Sequence, residues 1–291
     1  MIENIQNQSN SGAEISITKI KNEIVLNKKV YFAKKNEKIR ILEQLNKQNL
    51  WHNDGLVRPF FSVPVKHEIF NKFISMNMPF IYGYSGSDIL TFNSYRQSNN
   101  LAKNLIKLIS FFKNKKSKFK FIDNQKIIQK INIVENKSNK NFKIYFKKLK
   151  KKFHYIPDNL ETTFCHGDLT LSNMIFTNNK KNNFKFNINR NLEIYLVDWL
   201  DSSFETYFLD LAKLKQDLFY GWSSRNLNTN QIISNSITGK FVWSLIEEKF
   251  INNKNIKIFN FFMNLCILRI LPYTKSYKDF IWLKKVLDLE G

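Results

Sequence analysis

Three polar side chains, Asp168, Asn173 and Asp198, stand at the edges of short apolar runs. From Phe164 the chain reads Phe-Cys-His-Gly-Asp-Leu-Thr-Leu-Ser-Asn-Met-Ile-Phe. After a polar insert over 178–191 comes Ile-Tyr-Leu-Val-Asp-Trp, from Ile194 to Trp199. Each acid or amide therefore begins or ends a β-like run, which is where an α/β scaffold tends to hold reactive groups. A carboxylate there can accept the proton of an attacking hydroxyl. A carboxylate paired with an amide oxygen suits Mg²⁺, which prefers hard oxygen donors and draws few of them from protein.

The spacing Asp168-x-x-x-x-Asn173 is that of a kinase catalytic loop, in which the Asp takes the hydroxyl proton and the Asn ligates the metal. A second acid on a following strand completes the metal site, and Asp198 fits that place. Around these residues the chain resembles the aminoglycoside phosphotransferase and choline kinase family. The matching residues are His166 to Asn173, Val197-Asp198-Trp199 and Asp210-Leu211-Ala212. The resemblance implies an α+β, protein-kinase-like two-lobed fold. A small β-rich N-lobe over 1–82 would cover the nucleotide, and a larger, mostly helical C-lobe over 83–291 would carry catalysis and substrate binding. It implies Asp168 as catalytic base, Asn173 and Asp198 as metal ligands, Mg²⁺ as cofactor and ATP or GTP as co-substrate. The acceptor would be a hydroxyl of a small molecule such as an amino alcohol, a sugar or an aminoglycoside.

The rest of such a machine must be positioned by the preceding chain. Glu14 to Ile20 and Glu23 to Phe32 read as strands, with a small-residue turn over Ser9 to Glu14. Ser11 and Gly12, in the turn before them, are the candidates for covering phosphates with backbone N–H groups. The second strand ends in Lys28-Lys29. Lys28 shares a face with Leu26 and is preferred as the phosphate lysine, with Lys29 left open. A helix over 36–49, with Ile39, Leu42 and Leu45 on one stripe, would supply Glu37 to steady that lysine, as the resemblance implies. The strand from Phe73, broken at Pro79 and Gly83, places Met76 and Met78 as candidate nucleotide contacts at the join between lobes. His166 reads as a loop-packing residue and Asp210 as the N-cap of the next helix. Asp201, Glu205, Trp222 and Arg225 are candidate substrate contacts. Further helices are expected over 98–113, 140–153, 241–250, 256–271 and 275–289.

Composition bounds the partners. The 291 residues carry 46 Lys and Arg against 24 Asp and Glu, a net charge of +22. The lysines are scattered through a chain rich in Asn, Ile and Phe, so no nucleic-acid partner is expected. Glu193 to Asp217 reverses the bias, with six acids against two lysines, which suits metal binding and a cationic or polyhydroxylated acceptor. Cys165 and Cys266 lie far apart and suggest no disulfide framework, as in a reducing cytoplasm. The first residues lack the basic and apolar regions of a signal peptide, and no membrane insertion is expected. Oligomeric state is not legible. The alternative reading is a nucleotide-binding pseudokinase, which the intact Asp168, Asn173 and Asp198 argue against.

Overall fold

The computed structural model describes residues 7–8, 13–20, 23–92, 94–178, 192–200, 204–274 and 276–290. In chain order the elements are β1 (Asn7–Gln8), β2 (Glu14–Ile20), β3 (Glu23–Tyr31), α1 (Lys35–Asp54), β4 (Phe60–Ser62), β5 (Lys66–Ile69), β6 (Phe73–Pro79) and β7 (Tyr84–Ser85). Then follow α2 (Gly86–Phe92), α3 (Tyr95–Asn114), β8 (Lys116–Phe121), α4 (Asn124–Asn136), α5 (Lys143–Lys151), β9 (Glu161–Thr163), β10 (Met174–Asn178) and β11 (Leu192–Leu196). The chain ends with α6 (Tyr207–Leu218), α7 (Thr229–Phe250), α8 (Ile256–Leu268) and α9 (Tyr277–Glu290).

These elements form two compact units: Met1–Ser85 with Asn173–Asp201, and Gly86–Ser172 with Ser202–Gly291. The first unit runs to Ser85 and also takes in Asn173–Asp201. The reason is strand pairing. β10 and β11 form an antiparallel ladder from Met174↔Leu196 to Asn178↔Leu192. β4 adds to β11 in parallel and β7 adds to β10, giving the sheet order β4-β11-β10-β7.

The first unit also holds a five-stranded sheet, β1-β2-β3-β6-β5. Alternation along β3 and β6 turns Leu26, Val30, Ile74, Met76 and Met78 to one face, where they pack with Ile41 and Leu45 of α1 and with Val63 and Val65. Each such side chain, fully buried, contributes about 1.5 to 3 kcal/mol. The buried stripe of α1 runs through Ile41, Leu45, Gln48 and Trp51, while Ile39 is exposed. The expected stripe through Ile39 is therefore rotated, because apolar residues occur on more than one side of this helix.

In the second unit α3 buries Leu101, Leu105, Leu108, Ile109 and Phe112, as its periodicity predicts. Ser94 and Gln97 close its start reciprocally: Gln97 N donates to Ser94 Oγ, and Ser94 N donates to Gln97 Oε1. α6 and α8 are buried almost all round and lie at the centre. α7 passes close to the end of α6, where a Cβ on Gly239 would meet the Leu218 carbonyl oxygen at 2.2 Å. α7 starts twelve residues before the expected 241, capped by Asn228 and Gln231. Its first turns are rich in Asn, Ser and Thr and carry little apolar periodicity. Among the described residues no helix is long and apolar enough to cross a membrane.

Candidate active site

In the first unit, β3 and β6 place Lys28 opposite Met76. Lys28 therefore leaves the sheet on its apolar face, and its Nζ lies 2.6 Å from Asp198 Oδ1. Lys29 points to the other face, with its Nζ 5.7 Å from the centre of the Phe73 ring. Lys28, not Lys29, is the lysine that meets the Asp-Trp motif. Its side chain is 12% exposed, and that of Asp198 is 48% exposed.

Asp198 follows β11 with a φ of 58°, in the left-handed region. Such a conformation costs an L-residue about 1 to 2 kcal/mol, less where a short polar side chain is present. The neighbouring residue secures it. Trp199 is buried and stacks on Trp51 of α1, with ring centres 6.4 Å apart. The turn thus buries the indole while presenting the carboxylate. Val197 N donates to the Asn173 carbonyl at 3.1 Å, so Asn173, before β10, and Asp198, after β11, lie at the same end of one ladder. A side-chain amide oxygen and a half-exposed carboxylate are hard-oxygen donors of the kind Mg²⁺ takes. Among the described residues no group of three or more His, Cys, Asp and Glu side chains is arranged to hold a metal, so any ion here would draw on few protein donors.

Glu37 does not pair with Lys28. Its Oε2 accepts from Ala33 N at 2.9 Å and from Lys34 N at 3.3 Å, at the start of α1. These N–H groups hold its carboxyl below the usual range. As the third residue of the helix, Glu37 is within easy reach of unpaired amides at the helix start, and Asp198 takes the lysine instead. Met76 and Met78 have their side chains in the apolar core, on the Lys28 face of the sheet. Ser11, Gly12 and Asp201 lie outside the described residues.

In the second unit the segment 166–171 is docked on α6. Asp210 accepts from His166 N at 2.6 Å and from Gly167 N at 2.9 Å. Asp217 accepts from Leu171 N at 2.6 Å, and also from Ser223 Oγ at 2.7 Å and Ser223 N at 3.2 Å. Between them, Lys213 Nζ lies 3.0 Å from Asp168 Oδ1. Residues 210, 213 and 217 fall at i, i+3 and i+7, one stripe of the helix. Asp210 is thus not the cap of α6; Thr206 caps it, accepting from Phe208 N. Sequence reasoning named neither Lys213 nor Asp217 as a site residue. The available signal was Asp-x-x-Lys-x-x-x-Asp on one side of an otherwise apolar helix.

Electrostatics follow from this docking. Desolvation opposes the charge of Asp168, but the Lys213 ammonium outweighs it, with help from Arg269, and holds the carboxyl below its ordinary range. Burial pushes Asp217 up to about 6, against the hydrogen bonds from Ser223 and Leu171. His166 is fully buried, and Asp168 N donates to its Nδ1 at 3.3 Å, in keeping with a loop-packing role.

The remaining substrate candidates have partners within the chain. Ser117 Oγ donates to Glu205 Oε2 at 2.5 Å. The Arg225 guanidinium lies 3.5 Å from the Trp222 ring centre, and its Nε donates to Asp279 Oδ1 at 2.8 Å. Trp222 also packs on Trp282, 4.9 Å between ring centres. Both side chains are therefore held against α9, and the Arg225 charge is matched there rather than left for a ligand.

No family model matches the sequence, and no curated protein matches it. Solved structures do. A thermostable mutant of aminoglycoside phosphotransferase APH(4)-Ia in its apo form superposes with a TM-score of 0.69 at 10% identity, covering 99% of this chain and 93% of that one. APH(2")-IIia, in its complex with GDP and kanamycin, gives a TM-score of 0.56 at 12% identity, covering 100% and 90%. The spectinomycin phosphotransferase APH(9)-Ia, in complex with ADP and spectinomycin, gives 0.52 at 12%, covering 99% and 91%. Over nearly its whole length, then, the chain has the protein-kinase-like fold of the aminoglycoside phosphotransferases.

Proposed function

We propose that the protein is a small-molecule kinase that moves the γ-phosphate of ATP or GTP to a hydroxyl of its acceptor. The observation that carries this reading is the ionised Asp168 held on α6, at the kinase spacing from Asn173. The Lys28–Asp198 pair supports it, and so does a fold whose solved examples include complexes with ADP and spectinomycin and with GDP and kanamycin. Asp168 accepts the proton of the acceptor hydroxyl and aims its oxygen at the phosphorus. Lys28 neutralises charge on the non-transferring phosphates. Asn173 and Asp198 would hold Mg²⁺, which would supply neutralisation of the phosphate charge. Catalysis is then mainly positioning and electrostatics. The acceptor in this reading is amine-bearing or sugar-like, such as a precursor of surface polysaccharide or a lipid headgroup; that choice comes from the acid-rich sequence over 193–217, whose Asp198, Glu205, Asp210 and Asp217 have partners within the chain. Both cysteines are buried, and the enzyme in this reading works in the cytoplasm.

The test screens amino alcohols, sugars and aminoglycosides for acceptor-dependent nucleotide consumption. Asp168→Ala is expected to lower kcat by about 10² to 10⁴-fold while nucleotide still binds. Asp198→Ala is expected to weaken Mg²⁺-nucleotide binding. Full turnover by Asp168→Ala would refute the assignment of the base, and nucleotide binding without turnover of any acceptor would favour the pseudokinase.

A further inference from the structure

We propose that Lys213 is a positioning residue for phosphoryl transfer, its ammonium fixing the Asp168 carboxylate from α6 in the ionised form and in the orientation that receives the acceptor hydroxyl. The proposal rests on the kinase reading above.

The three polar residues of the α6 stripe divide the work. Asp210 and Asp217 bind main-chain N–H groups of His166, Gly167 and Leu171. They fix the path of the segment on either side of residue 168. Lys213 acts on the side chain of Asp168 itself. Its own side chain is only 9% exposed, and an ammonium that buried requires an anion beside it. The Asp168 side chain, 27% exposed, retains access to solvent and so to an acceptor. The ion pair therefore joins a rigid buried helix to the side chain assigned to take the proton.

A cation on a catalytic base weakens it as a base but can still serve the reaction. In a loose phosphoryl transition state the hydroxyl proton leaves late, and orientation of the nucleophile matters more than proton affinity. An ionised, well-aimed acceptor oxygen is then what the site needs. Among the groups that act on Asp168 are Lys213 from α6, Arg269 from the end of α8, and His166 of its own segment. Lys213 is the foremost of these, in direct contact, and its loss should release both the orientation and the charge of Asp168.

The decisive measurements compare wild type with Lys213→Met and Lys213→Arg. With Lys213→Met, kcat is expected to fall by about 10 to 100-fold, while KM for the nucleotide stays within about threefold and the main-chain docking by Asp210 and Asp217 persists. The acid limb of the rate profile should move up by about one to three pH units, as for a carboxylate that loses an adjacent cation. Lys213→Arg should restore most of kcat and return the limb. A Lys213→Met enzyme with wild-type kcat, or with reduced kcat and an unmoved limb, overturns the proposal. A titration of the Asp168 carboxyl carbon by NMR needs no turnover and, in the wild type, no variant. It should report a value below the ordinary one near 3.9; a value at or above it overturns the proposal even if Lys213→Met fails to fold. Absence of turnover in the wild type would sink the kinase reading, while the carboxyl titration would still decide the ion pair.

Discussion

At Asp198 the backbone itself bears on the proposed site. Its φ of 58° is the one left-handed conformation among the described non-glycine residues, and it follows a strand whose next side chain, Trp199, is locked against Trp51. Strain of this kind persists where surrounding packing over-determines it. Two substitutions separate the backbone from the carboxylate. Asp198→Ala and Asp198→Gly both remove the ion pair with Lys28 and both should abolish the nucleotide-dependent rise in melting temperature. Only alanine retains the left-handed penalty, so Asp198→Gly should be more stable than Asp198→Ala by about 1 kcal/mol, measured by urea unfolding. Equal stabilities would mean that the turn relaxes when the carboxylate is lost. The same scale shows what a sequence can and cannot display. Strand alternation puts Lys28 on the face of Leu26 and Lys29 on the other, and both placements are legible in the sequence. The partner of Lys28 was not legible, because Glu37 has a local use, the amides at the start of α1, that competes with a distant lysine.

Among the elements, α6 is where reading and structure diverge most usefully. Its position after Asp198 and its Asp-Leu-Ala signature were legible, as were the buried stripe of α3 and the helix at Ile256. Its polar stripe was not, since a buried carboxylate on an apolar helix looks the same in sequence as a cap or a solvated charge. Asp217 gives this stripe a measurable signature. It is buried and its carboxyl is pushed up to about 6 from an ordinary 3.8, so the folded protein binds the proton more tightly than the unfolded chain. Its contribution to stability is fully present below about pH 4 and is lost as the pH rises through about 6. The rise corresponds to about 3 kcal/mol. Wild type should therefore lose stability between pH 4.5 and pH 7 relative to Asp217→Asn, whose side chain does not titrate and can still accept from Leu171 N. Asp168, held below its ordinary value, acts in the opposite direction but only at more acid pH. Parallel stability curves for the two proteins across this window would show that Asp217 is solvated or paired more strongly than the fold implies.

For the whole molecule, the partition into two units depends on pairing that no local pattern announces. β10 and β11 were legible as strands from their apolar runs, but their attachment to β4 and β7 follows from pairings between residues far apart in sequence, such as Ile194 with Phe60 and Ile175 with Ser85. Charge is the property that the whole chain shares. A net +22 spread over scattered lysines makes the compact state repel itself. The close ion pairs with little exposure, Lys213–Asp168 and Lys215–Glu290, are screened far less by salt than exposed like charges separated by a Debye length of about 10 Å at 0.1 M. Added salt should then relieve more repulsion than attraction. Between 0.02 and 0.3 M sodium chloride the apparent unfolding midpoint is expected to rise, and about 1 kcal/mol of relieved repulsion would appear as about 2 to 4 °C. Chloride is the appropriate anion, because sulfate is excluded from protein surfaces and stabilises folds for reasons unrelated to screening. A midpoint that falls with sodium chloride would mean that attractive pairs, rather than the excess of lysine, dominate the electrostatics of the folded chain.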